Sequence, residues 1–154
     1  VSAASRARRT ILVAHPGSEL YGSDRVLLES VSGLVDDGWD VVVAVPGDGP
    51  LVSELRRRGA RVELCASPVL RKSVLRPRGF LRFAATTARG IRSGSALLRR
   101  ERPAAVYVNT VTIPLWIGLA RLARVPVVAH VHEGEATASR LVKRVLSAPL
   151  LLAG

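Results

Sequence analysis

The three histidines of this 154-residue chain all stand where a short apolar run ends: His15 after Thr10–Ala14, and His130 and His132 in and just past Val127–Val131. Groups that can accept or hand on a proton are therefore gathered at run ends. His130 and His132 are two residues apart, so an extended backbone projects both to one face. An H-x-H pair can bind zinc, but only Glu133, Glu135 and His15 could complete such a site, and no cysteine lies near. Hydrogen bonding to polar ligand groups or backbone is the preferred role for the pair. Asn109 and Thr110 supply further polar groups at the end of Ala105–Asn109.

A second candidate is the loop His15-Pro16-Gly17-Ser18-Glu19-Leu20-Tyr21-Gly22, which opens straight into a helical pattern. Backbone N–H groups at a helix start favour an anion, and Gly22 would let a phosphate approach closely. The Gly17-x4-Gly22 spacing matches a phosphate-binding P-loop. However, Ser23-Asp24 stands where that motif needs Lys and Ser/Thr, and Asp24 would repel a triphosphate, so a P-loop is rejected. The G-x-G-x-x-G dinucleotide fingerprint is also absent. Two readings stay open: an anion site on the loop backbone, or a glycine that merely permits a tight turn.

The elements that must position these groups alternate. Strands are expected at Thr10–Ala14, Asp40–Val45, Arg61–Cys65, Ala105–Asn109 and Val127–Val131, with the start of a sixth at Pro149–Ala153. Helices are expected at Ser23–Asp37, Leu51–Arg58, about Gly79–Arg100, Ile113–Ala123 and Thr137–Leu146. In the first helix Val26, Leu27, Val31, Leu34 and Val35 have helical spacing, and Gly38 stops it. The strands are continuous apolar runs, so they are buried on both faces. That predicts an α/β fold with a doubly wound, Rossmann-like parallel sheet in three α/β/α layers. Ligands of such sheets sit at the carboxyl ends of the strands, where strand order reverses.

Composition limits the options. Hydrophobic residues make up 48%, too many for a disordered tail. A lone cysteine, Cys65, excludes a disulfide-stapled mini-protein. Aromatics at 4% are too few for a single-strand nucleic-acid platform, and no DNA-binding motif is present, so nucleic acid is not an expected partner. The stretch 1–9 reads as a flexible N-terminal segment. Net charge is +11, carried by 21 Arg and 2 Lys, a skew that codon usage can produce. Its distribution is more telling: ten basic residues and one acid, Glu101, lie between Arg71 and Arg102. Arg78, Arg82, Arg89, Arg92 and Arg100 fall on one side of the helix expected there, with Phe80, Ala84, Ala88, Ile91 and Leu98 on the other. Such a face can dock on anionic lipid or remain solvated. Gly90 and Gly94 weaken this helix and mark where it could split.

Taken together, the order of elements with "GSDRVLLESVSGLVDDGWDVVVAVPGDGP", "VNT" at 108–110 and "PVVAHVHE" at 126–133 resembles the N-terminal domain of GT-B-fold glycosyltransferases of family 4, the group 1 enzymes. The resemblance covers residues 10–154. It implies the acceptor-side domain of an enzyme that moves a sugar from a nucleotide diphosphate sugar to a hydroxyl acceptor. Anomeric configuration is retained and no metal or other cofactor is needed. His132 matches the family histidine that contacts the donor sugar near the reacting centre, and Glu133 the neighbouring acid. Gly17, Gly22, Ser23, Asn109, Thr110 and His130 become donor- or acceptor-binding residues, although Ser23 replaces one glycine of the family loop. The basic helix, through Arg78, Arg82, Arg89 and Arg92, resembles the membrane-docking surface of members with lipid-linked acceptors. The family holds its nucleotide mainly in a second, C-terminal domain with a Glu-x7-Glu motif, which this chain lacks. The chain is thus expected to be a fragment, inactive alone, cytoplasmic, with peripheral contact at the inner face of the plasma membrane. Two alternatives are weighed. Ala14-His15-Pro16-Gly17-Ser18-Glu19 is similar to the first motif of zinc-dependent N-acetylsugar deacetylases, but Ser18 replaces the metal-binding Asp. The other is a non-catalytic membrane-surface binding module.

Overall fold

The computed structural model describes residues 9–21, 24–69, 77–110 and 112–129. Among the described residues five strands form one parallel sheet: β1 (Thr10–Ala14), β2 (Asp40–Val45), β3 (Arg61–Leu64), β4 (Ala105–Val108) and β5 (Val127–Ala129), in the order β3-β2-β1-β4-β5. Register is fixed by apolar pairs across the central strands, such as Val13 opposite Val43 and Tyr107. These strands are apolar at nearly every position because both faces are covered. Leu12, Ala14, Val42, Ala44, Val106 and Val108 pack into one core, and Val13, Val41, Val43 and Val45 into the other. The helices α1 (Asp24–Asp36) and α2 (Pro50–Arg57) cover the second core. The helices α3 (Pro77–Glu101) and α4 (Pro114–Leu122) cover the first.

The helix boundaries follow local chemistry. Pro50 and Pro114 start α2 and α4, where a missing N–H costs nothing. Gly38 and Gly59 follow α1 and α2 with φ of 86° and 85°, the left-handed turn that ends a helix and suits glycine. The expected strands and helices up to residue 129 are found within about two residues, the usual spread of such boundaries. The helix expected at Thr137–Leu146, the strand at Pro149–Ala153 and the end of β5 lie outside the described residues. In α1 the core face is Leu27, Leu28 and Val31, whereas Val26 is exposed.

Two features of α3 lie beyond what periodicity conveys. The helix is continuous, so Gly90 and Gly94 do not split it. Both are buried at the crossing with α4. A Cβ on Gly90 would lie 2.5 Å from the Ala66 carbonyl oxygen and 2.6 Å from Leu115; one on Gly94 would lie 2.7 Å from Leu119. The glycines bring two helices together, and that contact outweighs their poor propensity. Second, the core-facing stripe is Gly90, Gly94 and Leu97, flanked by half-buried Phe83 and Thr87. It is rotated by roughly 100° from the apolar face expected from periodicity. Of that face only Leu98 is buried; Phe80, Ala84, Ala88 and Ile91 are exposed.

At the amino ends of the strands, an ion network ties α3 to the sheet. Arg61 bridges Asp40 (2.8 Å) and Glu101 (2.6 Å), and Arg100 bridges Glu101 (2.8 Å) and Glu63 (2.6 Å). Hydrogen bonding from Arg61, and then from Arg100, holds the Glu101 carboxyl below the usual carboxylate range. Arg100 is thus an ion-pair partner within the chain, whereas Arg89 donates to the Ala85 carbonyl of its own helix (3.4 Å).

The packing at Gly90 makes a sharp contrast with Gly118, where an added Cβ meets open space. Gly90→Ala should destabilise by about 1–3 kcal/mol through overpacking. Gly118→Ala, in an exposed helix interior, should be neutral or stabilise by up to about 1 kcal/mol. Urea unfolding of the two variants checks both signs.

Candidate functional site

In this strand order the chain moves from β1 towards β3, then returns to the other side of β1 as β4. The loops leaving β1 and β4 part at that switch point and leave a crevice at the carboxyl ends. The loop after β1 is anchored at several points. The His15 N–H donates to the Ala44 carbonyl (3.0 Å), and the Ser18 carbonyl accepts from the Leu51 N–H (3.1 Å). Gly49 makes the second contact possible, because any side chain there would run into the Ser18 backbone. At the helix start the Asp24 N–H donates to the Tyr21 carbonyl (3.0 Å), while Asp24 Oδ2 accepts from the Tyr21 N–H (2.7 Å). This reciprocal closure satisfies a donor that a helix start would otherwise leave open.

The side chains then join across the switch point. Asn109 leaves β4 with its N–H donated to the Ala14 carbonyl (3.0 Å). Its Nδ2 donates to His15 Nδ1 at 2.9 Å. With Nδ1 accepting, the proton of a neutral ring sits on Nε2, which lies 3.3 Å from Asp24 Oδ1. The Tyr107 hydroxyl donates to Asn109 Oδ1 at 3.4 Å. Burial raises the Tyr107 pKa, so this phenol keeps its proton. His15, Asp24 and Asn109 are all buried, at 5%, 5% and 2% exposure. They form the floor of a cavity of about 420 Å³ whose walls include Pro16, Gly17, Glu19, Tyr21, Val69, Thr110 and Thr112. The Thr110 and Thr112 hydroxyls are 3.1 Å apart. A larger depression of about 580 Å³ lies between α1 and α2, lined by Arg25, Glu29, Glu54 and Arg58 among others. It reaches the β1 loop only through Leu20 and Tyr21, whereas the smaller cavity holds the strand-end groups His15 and Asn109 and is the candidate site.

Of the residues singled out from sequence, the fold brings Gly17, Asn109 and Thr110 to one cavity. Gly22, Ser23, His130, His132 and Glu133 lie outside the described residues, as does the side chain of Arg78. Arg82, Arg89 and Arg92 are exposed on α3. Sequence reasoning missed the link between His15 and Asp24: Asp24 counts there against a P-loop and lies one position from the acid of the family loop, with no tie to the histidine. The available signal was a histidine at a strand end, nine residues before an acid at the next helix start. Thr112 and Val69 were not singled out. The zinc-hydrolase alternative would use His15 as a ligand, but both of its ring nitrogens are engaged by Asn109 and Asp24.

A parallel sheet in this order, with a polar crevice at its switch point, defines a ligand-binding doubly wound α/β domain. The chain belongs to the glycosyl transferase 4-like domain family, whose match runs over residues 21–151. No curated protein is similar enough to count as a relative. Among solved structures, MurG of Acinetobacter baumannii is similar at 15% identity and a TM-score of 0.62, over 92% of this chain and 39% of that one. Anabaena Alr3699/HepE in complex with UDP-glucose is similar at 20% identity and a TM-score of 0.63, over 91% and 34%. CalG4, the calicheamicin glycosyltransferase, is similar at 19% identity and a TM-score of 0.58, over 92% and 37%. The chain has the Rossmann-like fold of the N-terminal half of GT-B glycosyltransferases. It spans little more than a third of the length of these solved proteins.

His15→Ala would strip one partner from a buried carboxylate and one from a buried amide. The expected cost is about 2–3 kcal/mol of unfolding free energy, read by urea denaturation. A loss below half a kcal/mol would mean that water replaces the ring without penalty.

Proposed function

We propose that this chain is the acceptor-side half of a retaining glycosyltransferase, which moves a sugar from a nucleotide diphosphate sugar to a hydroxyl acceptor. The observation that carries this is the polar cavity at the β1/β4 switch point of a glycosyl transferase 4-like domain. In the reaction the bond from the anomeric carbon to the diphosphate breaks, a bond to the acceptor oxygen forms, and the hydroxyl proton passes to the departing diphosphate. The cavity contributes orientation. Asn109 and the Thr110 hydroxyl hold acceptor hydroxyls, and the backbone at Gly17 leaves room for them. In this reading His132 acts at the reacting carbon, and Gly22, Ser23, His130 and Glu133 serve as donor- or acceptor-binding residues. No metal is required. Leaving-group charge is met by helix starts and basic side chains of the nucleotide-binding half. Two reactive partners must be held together for this chemistry, so the chain needs that second domain for activity.

The acceptor is proposed to be lipid-linked, which would place the enzyme in the cytoplasm at the inner face of the plasma membrane. What supports this is the exposed side of α3. Phe80, Leu81 and Ile91 are 58%, 68% and 47% exposed, and Arg82, Arg89 and Arg92 run beside them. An apolar strip edged by arginines suits anionic head groups over acyl chains. No described helix is long and apolar enough to cross a membrane.

The transferase reading is tested by assaying nucleotide sugars with a hydroxyl acceptor, using this chain alone and joined to its downstream nucleotide-binding half. The joined protein should transfer the sugar with retention and without loss in chelator, and the chain alone should give no product. In the joined protein Asn109→Ala should raise the acceptor KM at least tenfold with the donor KM unchanged. Enzyme-like turnover by the chain alone would refute the division of labour. The surface is tested by sedimentation with vesicles. Binding should require anionic lipid, weaken with salt, and fall severalfold when Arg82, Arg89 and Arg92 are changed to Glu. Equal partitioning onto neutral vesicles would dismiss it.

A further inference from the structure

The charge inside the cavity opposes the charge of the chain. The whole sequence carries +11. The charged groups among the described residues lining the cavity are Glu19 and Asp24, both acids. Asp24 occupies the first turn of α1, where aligned N–H groups would otherwise attract an anion. Its two oxygens already take the Tyr21 N–H and face His15 Nε2. The helix start therefore carries its own carboxylate, in a buried position where solvent screens its field poorly.

We propose that Asp24 is a specificity-determining residue, which reserves this cavity for a phosphate-free, hydroxyl-bearing part of the acceptor. The inference rests on the acceptor-side reading above and adds the chemistry of what enters. A hydroxyl both donates and accepts, so it can use the Asn109 amide, the Thr110 and Thr112 hydroxyls and the acids alike. A phosphate oxygen only accepts, and it would meet Asp24 and Glu19 as like charges. Val69, Pro16 and the Tyr21 ring add apolar wall, which suits the C–H face of a sugar ring. The phosphorylated end of a substrate must then lie outside this cavity.

The test titrates the isolated chain with methyl α-glucopyranoside and with glucose 6-phosphate, following backbone amide and Asn109 side-chain NMR shifts at low salt. The glycoside should give saturable shifts at Gly17, Thr110 and Asn109, and the phosphorylated sugar should bind at least tenfold more weakly. Asp24→Asn keeps an acceptor for the Tyr21 N–H and removes the charge, so the preference should shrink towards unity. Glu19→Gln, at an exposed position, should narrow it in the same direction by a smaller factor, which keeps the test decisive if the first variant does not fold. Equal or tighter binding of the phosphorylated sugar by the unaltered chain overturns the proposal and leaves the transferase reading intact. Absence of saturable shifts with either sugar overturns it too. Failure of the joined protein to transfer sugar would instead sink the parent reading.

Discussion

The imidazole of His15 spans the gap that the fold itself creates. Parallel strands that part at a switch point leave two loops with no reason to stay in register at the crevice. Here Asn109, just past β4, and Asp24 from α1 are held to the two nitrogens of one ring just past β1. Each group fixes the next: Asn109 assigns the tautomer, the tautomer orients Nε2–H, and Nε2–H meets a carboxylate that also closes the start of α1. Buried polar groups of this kind are costly unless all are paired. No described buried side-chain nitrogen or oxygen lacks a partner. The cavity floor is therefore pre-organised, and a ligand need not order it on binding.

A second constraint acts from the other layer. α3 can only lie close to α4 where side chains vanish, and Gly90 and Gly94 provide that gap. The Trp116 indole N–H donates to Ser67 Oγ at 2.9 Å in the same layer, pinning the segment after β3 that supplies Val69 to the cavity. By turning its glycine stripe inward, α3 is obliged to turn Phe80, Leu81 and Ile91 outward. The apolar strip that could meet a membrane is thus a consequence of how the helix packs.

How far the sequence was legible follows from these two constraints. Strands with Val or Ile at successive positions declare burial on both faces, so the sheet and its helices could be read off directly. The carboxyl-end position of Asn109 and Thr110 was legible for the same reason, being a property of fold class. α3 was misread because periodicity ranks side chains by apolarity, whereas a close helix crossing selects for small size; Gly90 and Gly94 score as helix breakers on a linear reading. The His15–Asp24 pair was hidden for a different reason. Its partners belong to one loop and one helix start, and the distance between them depends on how the loop folds back onto Gly49 and Leu51. Nothing in their nine-residue spacing encodes that.

The Gly17–Gly22 loop began with two open readings, an anion site or a tight turn, and the electrostatics weigh on the choice. A helix start offers roughly half a positive charge, concentrated in its first turn. Asp24 is buried within that turn and already takes a backbone N–H, so much of the helix's attraction for an anion is spent internally. A diphosphate approaching from the cavity would gain little from the dipole and would face the carboxylate at short range. On the acceptor-side proposal, the described part of the loop, residues 15–21, serves as pocket wall. Among the described residues, Arg82, Arg89 and Arg92 are exposed on the outer side of α3, with an apolar strip beside them. Among the described residues, acids line the crevice and arginines the exposed side of α3, and the proposed hydroxyl pocket and anionic docking face both draw on that opposition.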